Sequence, residues 1–278
     1  MTLEQAYATC RDLHRRHGRS YYLATRLLPA HKRPAVHALY GFARWCDEIV
    51  DDLASSLTPD QKARELEQFG RAALDGTSDH DVAVALRDTM QRWDIPTTHV
   101  EAFLRSMAMD LTIGTYKTYD DLLDYTHGSA AVIGLQMLPV LETVVPLDVA
   151  APYAADLGLA FQLTNFLRDV GEDLERDRVY LPLEDLDAFG VTVEQLHEGV
   201  VDARFRRLMA FEVARTREVY RTAALGIRLL HPSSRRCISL ALHLYGGILE
   251  EIERADYQVL DRRVTVPTWR RAAALLRV

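Results

Sequence analysis

The sequence contains few of the residues that interrupt or cross-link a chain. Its 278 residues include 3 cysteines, 10 prolines and 14 glycines. Cys10, Cys46 and Cys237 have neither the spacing of a zinc site nor that of a disulfide framework. We therefore exclude a small disulfide-linked scaffold and a zinc module, and we expect a protein of a reducing cytoplasm.

A hydrophobic run long enough to cross a membrane is also missing. The most apolar segment, residues 130–141, is too short to span a bilayer and contains Gln136 and Pro139. Residues 1–17 mix charged with apolar side chains, so we expect no secretory signal peptide. A greasy substrate would be met by a cytoplasmic enzyme, with peripheral contact at the inner face of the cell membrane as an alternative.

Positive charge is scarce. The 33 lysines and arginines are outnumbered by 40 aspartates and glutamates, which gives a net charge of -7. We therefore expect no nucleic-acid partner. The basic stretches at 204–207 and 265–271 are interpreted as solvated faces, or alternatively as surfaces that approach an anionic membrane.

Alternating β-branched runs and Asn-Gly hairpin turns are missing too, which argues against a β-sheet. The sequence instead repeats apolar residues every three or four positions over long segments. We predict one all-α domain over residues 1–278, because no linker is long or polar enough to divide the chain. Pro59 and Pro96 suit first-turn positions, with Thr58 and Asp94 as caps. The predicted helices cover residues 3–17, 31–53, 59–74, 81–93, 97–111, 118–126, 129–144, 147–174, 191–198, 200–230, 233–258 and 267–277.

The predicted helix at 129–144 is apolar on nearly every face, which implies burial at the centre of the molecule. Small residues are frequent there and in the 150s. They would let helices approach closely, or leave room for a ligand.

Polar side chains interrupt the apolar sequence between residues 162 and 173. Four of them are spaced three, four and four residues apart, so a helix places them on one face: Gln162, Asn165, Asp169 and Asp173. An earlier predicted helix carries a second acidic pair one turn apart, Asp47 and Asp51, with Arg44 one turn before them.

Carboxylates one turn apart repel each other and destabilise a helix unless a cation compensates. Mg²⁺ prefers oxygen ligands and is commonly held by one or two carboxylates together with substrate phosphates. The two acidic pairs therefore predict a metal–diphosphate site between two facing helices, with Arg44 and Arg168 near the phosphates. A solvated acidic face would explain either pair alone. A di-iron bundle would need Glu-x-x-His, which does not occur at these motifs.

At these residues the sequence resembles the squalene/phytoene synthase family. Residues 46–51, and residues 162–173 with their continuation to Pro182, are similar to the family's two aspartate-rich signatures. Further similar segments are spread over essentially the whole chain, at residues 17–22, 27–29, 128–134, 245–249 and 261–264. The similarity is greatest to bacterial members of the phytoene branch. The resemblance implies a single-domain isoprenoid-synthase helical bundle around a central cavity, in which two prenyl diphosphates are condensed head to head.

The resemblance also implies roles for individual residues. Mg²⁺, with Mn²⁺ as an alternative, would be bound by Asp47, Asp51, Asn165, Asp169 and Asp173. The catalytic set would be Asp47, Asp51, Asp169, Asp173, Arg44 and Tyr245. Substrate diphosphate would be contacted by His17, Ser20, Tyr40, Arg44, Gln162, Asn165, Arg168, Tyr245 and Arg262, with Arg263 as the alternative to Arg262. His127 stands where many members carry tyrosine, and it would contact diphosphate or serve as a hydrogen-bonded core histidine.

Within the family, the resemblance favours a 15-cis-phytoene synthase that condenses two geranylgeranyl diphosphates through prephytoene diphosphate in carotenoid biosynthesis. The alternatives are a squalene, dehydrosqualene or presqualene-diphosphate synthase using two farnesyl diphosphates, and a non-catalytic assembly protein with this fold. We do not expect NADPH, since the Gly-x-Gly-x-x-Gly fingerprint is missing. A scaffold would gain nothing from buried acid clusters that cost stability.

Overall fold

The computed structural model describes residues 2–52 and 54–276, and every regular element in this part of the chain is helical. The first seven α-helices are α1 (Leu3–His17), α2 (Arg19–Thr25), α3 (Arg33–Asp51), α4 (Pro59–Asp75), α5 (Asp81–Trp93), α6 (Thr97–Met109) and α7 (Tyr119–Thr126). They are followed by α8 (Val132–Leu141), α9 (Leu147–Arg168), α10 (Val170–Leu174), α11 (Leu183–Phe189), α12 (Val193–His197), α13 (Ala203–Leu225), α14 (Pro232–Arg254) and α15 (Thr268–Leu276). A π-helical turn at His127–Ala131 precedes α8, and a 3₁₀ turn at Gly226–Leu229 follows α13.

The helix ends show why several helices start where they do. Thr58 caps α4, with Gln61 completing a capping box, and Pro59 occupies the first turn as predicted. The cap predicted at Asp94 is wrong. Asp94 has a φ of 51° and ends α5 in the left-handed region, which leaves Pro96 itself at the start of α6.

Most predicted helices are present, although several differ in outline from the prediction. The short helices α2 and α11 were not predicted, because each has only 7 residues and too few turns to show a period. The helix predicted at 200–230 ends its α-helical part at Leu225. The helix predicted at 129–144 begins within a π-helical turn, a feature that often occurs at functional sites.

The centre of the bundle depends on close contact between α8, α9 and the π-helical turn. A Cβ atom on Gly158 would lie 2.3 Å from the carbonyl oxygen of Ala130, and one on Gly134 would lie 2.0 Å from that of Ala154. Only glycine lets these backbones approach so closely. The small residues in this part of the sequence therefore serve helix packing, and Gly134 and Gly158 also line the cavity described below.

One buried lysine fastens three helix ends together. Lys32, immediately before α3, is fully buried; its Nζ donates to the Leu141 carbonyl at 2.9 Å and the Ser234 hydroxyl at 3.1 Å. It also forms an ion pair with Glu142, so its charge is neutralised. The start of α3, the end of α8 and the start of α14 are thereby held at one place.

The structure bears on the expectations about membrane-spanning segments and about the cysteines. The described helices include none with the length and apolar character needed to cross a membrane. All three cysteines are free and buried.

Two glycine substitutions should have opposite effects on stability. Gly158→Ala places a methyl group against rigid backbone and should lower the free energy of unfolding by about 1–3 kcal/mol. Gly246→Ala is the matched control, because among the described residues no atom beyond the adjacent backbone of α14 lies within 4 Å of its Cβ position. It should raise stability by up to about 1 kcal/mol. Urea denaturation measures both, and equal effects of the two substitutions would contradict the proposed close packing.

Candidate active site

A cavity of about 460 Å³ lies between the central helices and has a polar end and an apolar end. The polar lining is formed by Asp47, Asp51, Asp110, Gln162, Asn165, Arg168, Asp169 and Asp173. The apolar lining includes Val36, Leu138, Leu141, Ala150, Ile227 and Leu230.

The helices show how far apart these two ends are. Along α3, residues 36 and 47 are separated by about 16 Å, and along α9, residues 150 and 165 are separated by about 22 Å, at 1.5 Å per residue. Residues near the starts of α3, α9 and α14 line the apolar end, and so does Leu141, whose carbonyl accepts the hydrogen bond from Lys32. The cavity is therefore elongated and suits a ligand with a charged head and a long apolar tail.

The first acidic pair lies on the last turns of α3. Asp47 and Asp51 both face the cavity, one turn apart, as their spacing predicts. Arg178, which is buried, donates from Nη1 to the Asp51 carboxylate at 2.8 Å. Arg178 belongs to the segment that follows the second acidic pair. Its contact with Asp51 therefore connects the segments that carry the two aspartate-rich motifs.

The second acidic pair lies where one helix gives way to another. The helix predicted continuously over 147–174 is interrupted at Asp169, because the Gly171 N–H donates to the Val259 carbonyl at 3.2 Å. A Cβ on Gly171 would lie 2.2 Å from the carbonyl oxygen of Leu260, so a larger residue would push these segments apart. Both Asp169 and Asp173 line the cavity on the two sides of this break.

Two arginines surround Asp169. The Arg168 Nε donates to one oxygen of its carboxylate at 2.7 Å, and the Arg263 Nε lies 3.0 Å from the same oxygen. Arg263 also pairs with Glu172 at 3.3 Å. Arg262 is exposed and donates only to the backbone carbonyl of Gln258, at 3.4 Å. Of the two arginines considered for the C-terminal cation, Arg263 is therefore the one placed beside Asp169, and its contact with diphosphate stays a prediction.

The cavity raises the proton affinity of its carboxylates. Burial raises the pKa of Asp47 to about 7, with the Asp51 charge adding to the effect and Arg44 opposing it. Burial, followed by the Asp169 charge, raises the pKa of Asp173 to about 8. Without a cation, these two groups resist ionisation near neutral pH.

Asp110 is a cavity residue that the sequence did not reveal. It follows α6 and accepts hydrogen bonds from the hydroxyls of Tyr125 at 2.7 Å and Tyr180 at 2.9 Å. Burial raises the pKa of Asp110 to about 6, opposed by Arg178. As a single carboxylate, it has no acidic partner one turn away. The sequence therefore carries no local signal for Asp110, because its tyrosine partners lie 15 and 70 residues away along the chain.

Aromatic rings form another part of the wall. Tyr40 lines the cavity and stacks on His14, with ring centroids 4.2 Å apart. Tyr21 also lines it and stacks on Tyr245 at 4.4 Å, so Tyr245 lies behind Tyr21. His14 is fully buried, and its Nδ1 lies 3.0 Å from that of His37.

A family comparison identifies the fold and the class of enzyme. The family model for squalene/phytoene synthase matches residues 14–270. The chain belongs to the squalene/phytoene synthase family. Its relatives include a phytoene synthase of Arthrospira platensis, 38% identical over 99% of this chain and 92% of its own length. A 15-cis-phytoene synthase of Synechococcus elongatus is 36% identical, over 99% of this chain and 92% of the relative.

Solved structures agree with the family assignment. A crystal structure of a dehydrosqualene synthase has a TM-score of 0.90 and 28% identity, covering 99% of this chain and 95% of the other. A squalene synthase of Alicyclobacillus acidocaldarius has a TM-score of 0.81 and 26% identity, covering 92% and 95%. The predicted all-α isoprenoid-synthase fold is confirmed, and so is the prediction of a head-to-head prenyl-condensing enzyme.

Eight of the site residues inferred from the family resemblance lie together on the cavity wall, although their roles stay predictions. They are Tyr40, Asp47, Asp51, Gln162, Asn165, Arg168, Asp169 and Asp173.

Other predicted site residues lie outside the wall. Arg44 is one-third exposed and pairs with Glu48 at 3.1 Å. His17, at the end of α1, is exposed, and Ser20 is half-buried in the first turn of α2.

His127 is exposed, whereas Tyr125 lines the cavity. Residues two positions apart on a helix point in nearly opposite directions, so the inward position of Tyr125 turns His127 outward. Neither the diphosphate contact nor the core position predicted for His127 agrees with this placement.

The donor set fits a hard divalent cation that is shared with a phosphate ligand. The described residues contain no group of three or more His, Cys, Asp or Glu side chains arranged to hold an ion alone. Mg²⁺ commonly uses one or two carboxylates and completes its shell with water and substrate phosphates. The Asn165 Oδ1 is buried without a hydrogen-bond partner. A cation near Asp47, Asp173 and this oxygen would satisfy it and favour the ionised carboxylates.

The metal-free protein should lose stability as pH rises. The pKa of Asp173 is about 8 in the folded chain and 3.8 in an unconstrained chain, so the folded state binds more protons between these values. Asp173→Asn removes this penalty. In EDTA, the variant should match the wild type near pH 4 and exceed its stability by at least about 1 kcal/mol above pH 8.

Urea denaturation across this pH range measures the effect, and Asp124→Asn, at an exposed position of α7, is the matched control. A stability difference between Asp173→Asn and wild type that does not change with pH would contradict the burial of this carboxylate.

Proposed function

We propose that this chain is a 15-cis-phytoene synthase that condenses two geranylgeranyl diphosphates head to head. The observation that carries the proposal is the meeting of both aspartate pairs at one end of an elongated cavity whose other end is apolar. The names of the cyanobacterial relatives support the same activity. The reaction would pass through prephytoene diphosphate and end by loss of a proton, so it would not use NADPH.

The polar end would bind the diphosphate groups. Mg²⁺, with Mn²⁺ as an alternative, would be held by Asp47, Asp51, Asp169 and Asp173 together with the Asn165 amide oxygen. When bound, it would supply positive charge that stabilises the leaving diphosphate. Arg168 and Arg263 already lie beside Asp169 and would reach phosphate oxygens from the same side.

The apolar end would hold the prenyl chains and exclude water. Loss of diphosphate leaves an allylic cation, which water would capture. Side chains such as Leu138, Leu141 and Leu230 surround the tail with hydrocarbon and keep that part of the cavity dry. Tyr21 and Tyr40 lie between the acidic end and this apolar part of the wall.

A synthase that uses two farnesyl diphosphates is the second candidate, because the dehydrosqualene synthase structure is so similar in fold. The two candidates differ in the length of chain that the apolar end accepts, and a squalene-forming enzyme would also use NADPH. Each substrate should therefore be supplied separately with Mg²⁺, with and without NADPH, and the hydrocarbon identified by mass spectrometry. A C40 product from geranylgeranyl diphosphate supports the proposal. A C30 product alone would replace it with the second candidate.

We also propose that the enzyme works in the cytoplasm and meets a membrane only at its surface. The argument is chemical, since the substrates are amphiphiles and the product is a hydrocarbon. Cell fractionation would test this, with the protein expected in the cytosol and on membranes from which salt can remove it.

A pair of neighbouring arginines tests the assignment of the C-terminal cation. Arg263→Ala removes the guanidinium that contacts Asp169 and Glu172, and should lower kcat/KM by about 10²-fold. Arg262→Ala removes a side chain that bonds only to the Gln258 carbonyl and should change kcat/KM less than about threefold. Release of inorganic diphosphate measures both. Similar losses for the two variants, or a larger loss for Arg262→Ala, would overturn the assignment.

A further inference from the structure

A group of exposed aliphatic side chains lies at one corner of the molecule. Val144, Leu147, Val149 and Leu225 are 54%, 47%, 49% and 51% exposed. They are four of the ten large apolar side chains found exposed in the described part of the chain. Single exposed apolar residues are ordinary on protein surfaces, whereas a group of them marks an interaction site.

The backbone brings these residues together. The Val144 N–H donates to the Leu229 carbonyl at 2.8 Å, and Thr143 forms an antiparallel bridge with Leu230. Leu225 lies one turn before Leu229, and Leu147 and Val149 form the first turn of α9. We call the four exposed residues the aliphatic corner.

The aliphatic corner covers the apolar end of the cavity. Ala150, Tyr153, Gly226 and Ile227 line that end and belong to the same two segments. A Cβ on Gly226 would lie 2.3 Å from the Cβ of Tyr153, so the 3₁₀ turn packs its backbone directly against the Tyr153 side chain of α9. The seam between these segments, at Gly226 and Tyr153, therefore lies between the prenyl-binding end and the aliphatic corner.

Charge beside the corner favours an anionic partner. Arg228 is exposed within the 3₁₀ turn. Arg235 donates to the backbone carbonyls of Leu230 and Arg228, both at 2.9 Å, and so keeps its charge next to the corner. Asp148 is an opposing carboxylate within the corner. Arg221 is balanced by its ion pair with Glu218.

The basic stretches at 204–207 and 265–271, which the sequence analysis gave as alternative membrane surfaces, contain arginines that are paired with carboxylates. Arg204 pairs with Asp202 and Arg206 pairs with Asp256. Arg270 pairs with Glu250 and Glu251. Carboxylates of the protein balance these three guanidinium groups, which weakens the attraction of each of them to anionic lipid.

We propose that the aliphatic corner docks on the surface of an anionic lipid bilayer and that the hydrocarbon product leaves through the seam beneath it. The docking stands on the exposed aliphatic residues and Arg228, whereas the exit route rests on the proposed function. Four aliphatic side chains and a few charges give reversible attachment, in keeping with a peripheral protein. The product would pass from one apolar environment to another without crossing water.

The docking is tested by flotation of the purified full chain with vesicles of phosphatidylcholine and phosphatidylglycerol. The double variant Leu147→Glu/Leu225→Glu should lower the bound fraction at least about tenfold relative to wild type. The double variant Leu3→Glu/Val200→Glu is the matched control, because these residues are 40% and 41% exposed but lie elsewhere. It should bind as the wild type does.

Two further measurements test the role of the Arg228 charge and whether a second copy of the chain covers the aliphatic corner. Arg228→Glu should weaken binding to the anionic vesicles and leave the weaker binding to pure phosphatidylcholine vesicles unchanged. The proposal is overturned when wild type binds neither vesicle, or when Leu147→Glu/Leu225→Glu binds as wild type. A wild-type dimer in sedimentation that this double variant dissociates would also overturn it, since a second copy would then cover the corner.

The exit route has its own readout. In detergent, the double variant at the corner should release diphosphate from geranylgeranyl diphosphate at the wild-type rate, because neither residue lines the cavity. With vesicles, its transfer of hydrocarbon into lipid should fall. Equal transfer by both proteins would overturn the exit route, whereas loss of activity in the wild type itself would count against the proposed function and leave the docking result standing.

Discussion

The burial of neighbouring carboxylates in one cavity is the constraint on which the rest of this structure depends. Asp47, Asp51, Asp169 and Asp173 face one cavity, and the pKa values of Asp47 and Asp173 rise to about 7 and 8 because burial disfavours their charge. Such an arrangement destabilises the chain alone and becomes favourable when a cation and a polyanion are added together. The site is thus suited to binding a metal diphosphate.

The surrounding helices hold these carboxylates at one end of an elongated cavity. Gly171 opens the helix at Asp169, and Gly134 and Gly158 let the central helices approach closely while an elongated space remains. Arg178 reaches Asp51 from the segment after the second acidic pair, so both pairs are tied together even without metal. Lys32 joins three helix ends with buried hydrogen bonds next to Leu141, which lines the apolar end. The fold therefore separates a charged end from a dry end.

Much of this could be predicted because helical periodicity is a local property. The spacing of Asp47 and Asp51 was enough to place both on one face, and apolar repeats located most helices. Residues set by tertiary contacts could not be found this way. Asp110 has no acidic partner one turn away, and only folding brings Tyr125 and Tyr180 to it. The choice between Arg262 and Arg263 and the outward position of His127 also depend on local backbone direction, which spacing does not determine.

The most direct test of the central claim is a double-mutant cycle for the binding of Mg²⁺ and inorganic diphosphate, measured by calorimetry. The proteins are wild type, Asp51→Asn, Asp173→Asn and the double variant. When one metal–diphosphate cluster uses both pairs, the two losses in binding free energy should be non-additive by at least about 1 kcal/mol. Losses that add within about 0.5 kcal/mol would show two independent acidic patches and contradict the account.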